Sequence, residues 1–93
     1  MTRDAAPINW FVDVEMRTLD RDAIAVWLAT FAVNAACDCH ASEHGVVSRL
    51  PWLSRSAFDR AVAILRERDL IAVSSYDGDT LYEAIEPTMR CEA

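Results

Sequence analysis

The 93-residue chain has no lysine: its nine basic residues are all arginine, set against fifteen carboxylates for a net charge of −6. Indiscriminate binding of polyanions needs an excess of cations, so this balance argues against it. Glycine occurs only twice, which excludes a glycine-rich phosphate loop. The longest apolar run, residues 23–37, is interrupted by Thr30 and Asn34. A bilayer span needs about 20 apolar residues, so no membrane partner is expected. Residues 1–7 lack the apolar stretch of a secretion signal, and the expected location is cytoplasmic. Three cysteines cannot all pair, and Cys37 and Cys39 stand too close for an ordinary bridge. Reduced thiols fit that location.

Catalytic groupings are equally sparse. Cys37, Cys39, His40 and His44 fall within eight positions. Structural zinc sites space paired ligands by two to four residues, which Cys37-x-Cys39 does not satisfy, and the neighbours Cys39 and His40 make poor co-ligands of one tetrahedral ion. Cys91 is the remaining thiol. Cys39 beside His40 has no recognisable third group to orient a base, and no carboxylate pair has a suggestive spacing. The expectation is a non-enzymatic protein with no metal and no cofactor.

What is present is one domain's worth of patterned sequence. Residues 8–16 alternate, with Ile8, Trp10, Val12, Val14 and Met16 on one face, as in a half-buried N-terminal strand. Asp20, flanked by Leu19 and Ile24, reads as the N-cap of a first helix ending near Ala36. That helix is apolar on two opposite faces: Ile24, Leu28, Phe31 and Ala35, widened by Trp27, and a second seam of Val26, Ala29, Val33 and Ala36. The second seam is covered either by the preceding strand or its linker, or by a partner or second copy.

Beyond the polar CDCHASEHG loop, Val46 and Val47 suggest a short strand, and Leu50 to Leu53 a brief second helix. A third helix is predicted from Ser56 as N-cap, with Asp59 in capping-box position and Ser54 as a rival cap. It buries Phe58, Ala61, Val62 and Leu65 and stops near Asp69. Two strand-like runs, IAVSSY and LYEAIE, flank Asp77-Gly78, a strong hairpin signal. Trp10, Trp27 and Trp52 are expected in the core. The domain should occupy residues 8–87, between flexible segments 1–7 and 88–93.

The opening NWFVDV and the later GVVSRLPWLSRSAFDRAVAILRERDLIAV resemble the small winged helix-turn-helix domains of bacteriophage replication-organiser and regulatory proteins. The similarity runs from Asn9 to Glu86. It implies an α+β fold of three helices, an N-terminal strand and a C-terminal β-hairpin wing. It further implies a third helix that enters the DNA major groove, with Arg55, Ser56, Asp59, Arg60 and Ala63 as readers. Arg60 would pair with guanine, and Ser56 with a phosphate or base edge. Residues 49–68 hold five arginines against Asp59 and Glu67, a local +3 that leaves −9 elsewhere. Asp77 and Asp79, by contrast, occupy the hairpin tip where a phosphate contact belongs. Two functions follow as expectations: a DNA-binding regulator or replication accessory factor, or a module that binds and modulates a host protein. Homodimerisation through the small seam is compatible with both.

Overall fold

The computed structural model describes residues 11–12, 16, 19–37 and 40–85. Their fold is α+β, with three helices and a three-stranded antiparallel sheet: α1 Arg21–Cys37, β1 Ala41–Ser42, α2 Glu43–Ser48, α3 Arg55–Glu67, β2 Ile71–Tyr76 and β3 Asp79–Ala84. The sheet order is β1-β3-β2. The expected flexible segments 1–7 and 88–93 lie outside the described residues.

The first helix starts where its cap predicts, because the Asp20 carboxylate accepts from the Ala23 N–H at 2.9 Å. Its two-sided apolar pattern is answered from within the chain. Ala23, Val26, Trp27, Ala29 and Phe31 are all buried, and α1 packs on α3, β3 and α2. Two polar side chains on α1 are buried as well. Thr30 donates to the Val26 carbonyl one turn back at 2.8 Å, the local bond that lets a hydroxyl sit inside a helix interface. Asn34 reaches the sheet: its amide donates to the Tyr82 carbonyl (3.3 Å) and its oxygen accepts from the Ala84 N–H (2.9 Å). Because β1 spans only two residues, it covers β3 at Tyr82 and Leu81 and goes no further. Asn34 supplies a partner for the Ala84 N–H, which lies beyond the reach of β1 and would otherwise be buried unsatisfied.

Sequence expectations are corrected in three segments. Residues 11–12 form a helical turn, with Phe11 fully buried and Val12 45% exposed, the reverse of the alternation expected of a strand. The cause is aromatic: the Phe11 ring stacks on Trp27 at 4.0 Å and 5°, and Trp27 stacks in turn on Phe31 at 5.3 Å. Met16 sits in a turn closed by the Leu19 N–H, and the rest of the 8–16 segment lies outside the described residues. Second, Val46 and Val47 belong to a helix. Ser42 caps α2 by accepting from the Gly45 N–H at 3.0 Å, and the short strand forms earlier, at Ala41–Ser42. The Leu50–Leu53 stretch is a turn, and Trp52 within it is 59% exposed rather than core. Third, Ser54 caps α3, accepting from the Ala57 N–H at 3.2 Å, so Ser56 falls inside the first turn.

The end of α3 is a Schellman motif. The Leu70 N–H bonds the Leu65 carbonyl (2.8 Å), the Asp69 N–H bonds the Arg66 carbonyl (3.1 Å), and Leu65 and Leu70 are both fully buried. Asp69 holds the left-handed position, with φ 58°, where glycine is usual. The hairpin follows in the register Tyr76–Asp79 to Ile71–Ala84. Asp77 (φ 54°) and Gly78 (φ 86°) make its two-residue turn, the paired positive φ that matches strand twist.

Candidate functional site

The surface to which the expected readers belong is built by α2, α3 and the tip of the hairpin. The strong amphipathicity of α3 fixes its orientation. Ala57, Phe58, Ala61 and Leu65 are buried, which turns Ser56, Asp59, Arg60, Ala63 and Glu67 outward. All five expected readers, Arg55 included, are therefore exposed.

They are not electrostatically equivalent. Arg55, at the start of α3, bonds the Glu43 carboxylate on α2 and the Asp59 carboxylate one turn along its own helix at 3.1 Å. Its guanidinium carbon also lies 5.5 Å from the Phe58 ring centre. The Glu43 hydrogen bond, aided by the charges of Glu43 and Asp59, pushes the Arg55 pKa above its ordinary value. The same Glu43 accepts from the Tyr82 hydroxyl at 3.5 Å. Burial first, and the Glu43 charge second, raise the pKa of that phenol. Glu43 thus links α2, α3 and β3, and the cation that opens α3 is spent on internal carboxylates. Sequence spacing predicts the Arg55–Asp59 pair, four residues apart on a helix. Glu43 gives no such signal, because its role depends on α2 starting at residue 43.

Arg60 and Arg66 differ from Arg55: both are exposed, and neither has an ion pair among the described residues. With Ala63, Ile64 and Glu67 they border a shallow depression on α3. A second, open cleft of about 500 Å³ lies between α2 and the hairpin tip, bordered by Glu43, His44, Arg55 and Asp79 among others. Summed over α2, α3 and the residues 77–79, the charges are Arg55, Arg60 and Arg66 (+3) against Glu43, Asp59, Glu67, Asp77 and Asp79 (−5), a net −2.

The expected partner seam is placed elsewhere. Val26 is fully buried and Ala29 nearly so, Val33 is half-buried, and only Ala36 is exposed. Gly45 of α2 approaches this seam, since a Cβ there would stand 4.0 Å from Val33. Only the Ala36 end of the seam offers open surface. Among the described residues, no three His, Cys, Asp or Glu side chains converge as a metal site would require. His40 instead stands with its Nε2 3.4 Å from Glu83. No described helix is long and apolar enough to cross a membrane.

Comparison of the chain with protein-family models, curated proteins and solved structures finds no match.

Proposed function

We propose that the chain is a non-enzymatic winged helix-turn-helix module that docks onto a protein. The element order helix, strand, helix, helix, hairpin, with β1 pairing on the far side of β3, supports the winged-helix reading. One observation carries the choice of partner. The surface such a module would turn toward DNA sums to −2, and its foremost cation, Arg55, is held by Glu43 and Asp59. Phosphate contacts supply most of the affinity of a DNA-binding protein, and an acidic hairpin tip opposes them. The same field steers a basic protein partner inward.

A DNA-binding regulator or replication factor is the second reading, favoured by Arg60 and Arg66 on the outward face of α3, which have no ion pair among the described residues. Titration of the protein into a labelled mixed-sequence duplex at low ionic strength separates the two. Protein docking predicts no change in anisotropy, together with retention of a specific protein by the tagged chain from nuclease-treated bacterial lysate. Duplex binding that weakens steeply with salt and is lost in Arg60→Ala would establish the DNA reading instead.

A further inference from the structure

Among the described residues, the order β1-β3-β2 leaves β2 at the edge of the sheet. The two-residue turn makes Tyr76–Asp79 a hydrogen-bonded pair, and the bonds to β3 recur at Ser74 and Ala72. Ile71, Val73 and Ser75 therefore direct their N–H and C=O groups away from the sheet. None of the three has another partner among the described residues. The opposite edge, at Tyr82 and Ala84 of β3, is the one closed by β1 and Asn34.

Exposed edges invite pairing, and natural proteins blunt them with charges, prolines or bulges. The β2 strand, IAVSSY, has none of these: no charged residue, no proline, and an unbroken register with β3 over its whole length. Carboxylates stand at its two ends instead, Asp69 before it and Asp77 after it, both exposed and both at positive φ. Asp79 adjoins the second on β3.

We infer that the β2 edge accepts an extended segment of a protein partner as an added antiparallel strand, with an uncharged centre and a lysine or arginine at each end. The inference rests on the protein-docking reading and names its surface. Backbone bonds to Val73 and Ser75, which lie beyond the buried Ile71, supply affinity, and the end charges supply selection. A second copy of this chain is disfavoured by the same pattern. Two-fold pairing centred on Val73 sets Asp77 of each copy against Asp69 of the other, and like charges directly opposite destabilise a strand pair.

The test uses two nine-residue peptides with the same alternating threonine-valine centre, one ending in lysine at both ends and one in glutamate. The expected result is saturable binding of the lysine peptide, with amide protection appearing at Val73 and Ser75. Binding of the glutamate peptide should be at least about tenfold weaker. Ser75→Pro removes an outward N–H at an exposed position where an edge strand tolerates proline, and it should abolish binding while the thermal melt stays cooperative. Asp69→Asn with Asp77→Asn keeps both turns and should erase the preference for lysine. Equal binding of the two peptides, or full binding by a folded Ser75→Pro variant, overturns the inference, as does no binding at millimolar peptide. Lysate capture separates the two levels. A partner retained equally by wild type and Ser75→Pro leaves protein docking standing and removes the edge, whereas no retained partner removes the docking reading itself.

Discussion

The indole N–H of Trp27 donates to the carbonyl of Leu70 at 2.9 Å, across 43 residues of sequence. The same carbonyl accepts from the Ile85 N–H at 3.0 Å, so both of its lone pairs are used where α3 gives way to β2. Replacing Trp27 with Phe leaves that acceptor satisfied by Ile85 and keeps an aromatic ring against Phe11 and Phe31. The expected cost is about 1–3 kcal/mol, from one lost hydrogen bond and a partly filled site. Trp27→Ala, which empties the centre of the stack, should cost about 3–5 kcal/mol. Urea denaturation followed by far-UV circular dichroism measures both.

Asn34→Leu should destabilise the fold by about 1–3 kcal/mol, because it strands the buried Ala84 N–H, whereas the Tyr82 carbonyl keeps its pairing with Ala41 of β1. Hydrogen exchange locates the effect: the Ala84 amide should lose protection out of proportion to the amides of β2. Uniform loss across the hairpin would show that Asn34 acts through packing alone.

The cap of α3 is decided between two serines two residues apart. Ser54→Ala should cost about 1 kcal/mol, because it orphans the Ala57 N–H. Ser56→Ala should change the melting temperature little, since among the described residues that hydroxyl bonds only Ser54, at 3.4 Å. The reverse ranking would move the start of the helix.

Asp69→Gly should raise stability, by up to about 1 kcal/mol, because it relieves the cost of a Cβ in the left-handed region. The burial of Leu65 and Leu70 and both Schellman bonds are untouched by the change. Comparison of denaturant midpoints at equal m-value checks it.

Tyr82 imposes a limit at alkaline pH. Its folded pKa lies above the unfolded value of about 10. The folded state therefore holds the phenolic proton more tightly, and this contribution is complete below pH 10 and lost as pH rises through the folded pKa. Stability measured against pH should fall above about 10 in the wild type and fall less in Tyr82→Phe. Equal slopes would remove Tyr82 as the cause.

Much of this architecture is legible in the sequence, and the misses have a common origin. The Asp20 cap, the buried stripe of α3 and the Asp77-Gly78 turn follow from interactions within a few residues, and spacing reports them faithfully. The 11–12 segment and α2 were decided by distant partners. Phe11 turns inward because Trp27 offers a ring sixteen positions away, and Ala41–Ser42 become a strand because Tyr82 and Leu81 lie beside them. Local alternation carries no trace of either. The outward placement of Arg55 and Arg60 was readable from the buried stripe, but the neutralisation of Arg55 by Glu43 was not, since it joins residues twelve apart on two helices.

Two polar fastenings that α1 makes toward the sheet end on main-chain atoms: Trp27 on the Leu70 carbonyl, Asn34 on Tyr82 and Ala84. A clasp on peptide groups is blind to the side chains beyond it. Ala72, Ser74, Tyr76 and Asp79, all exposed on the hairpin, can be exchanged without loosening its attachment to α1. The fold thus separates a face that must be conserved in shape from one whose chemistry is free to drift, and a change of binding partner can be written on the hairpin at little cost to the scaffold.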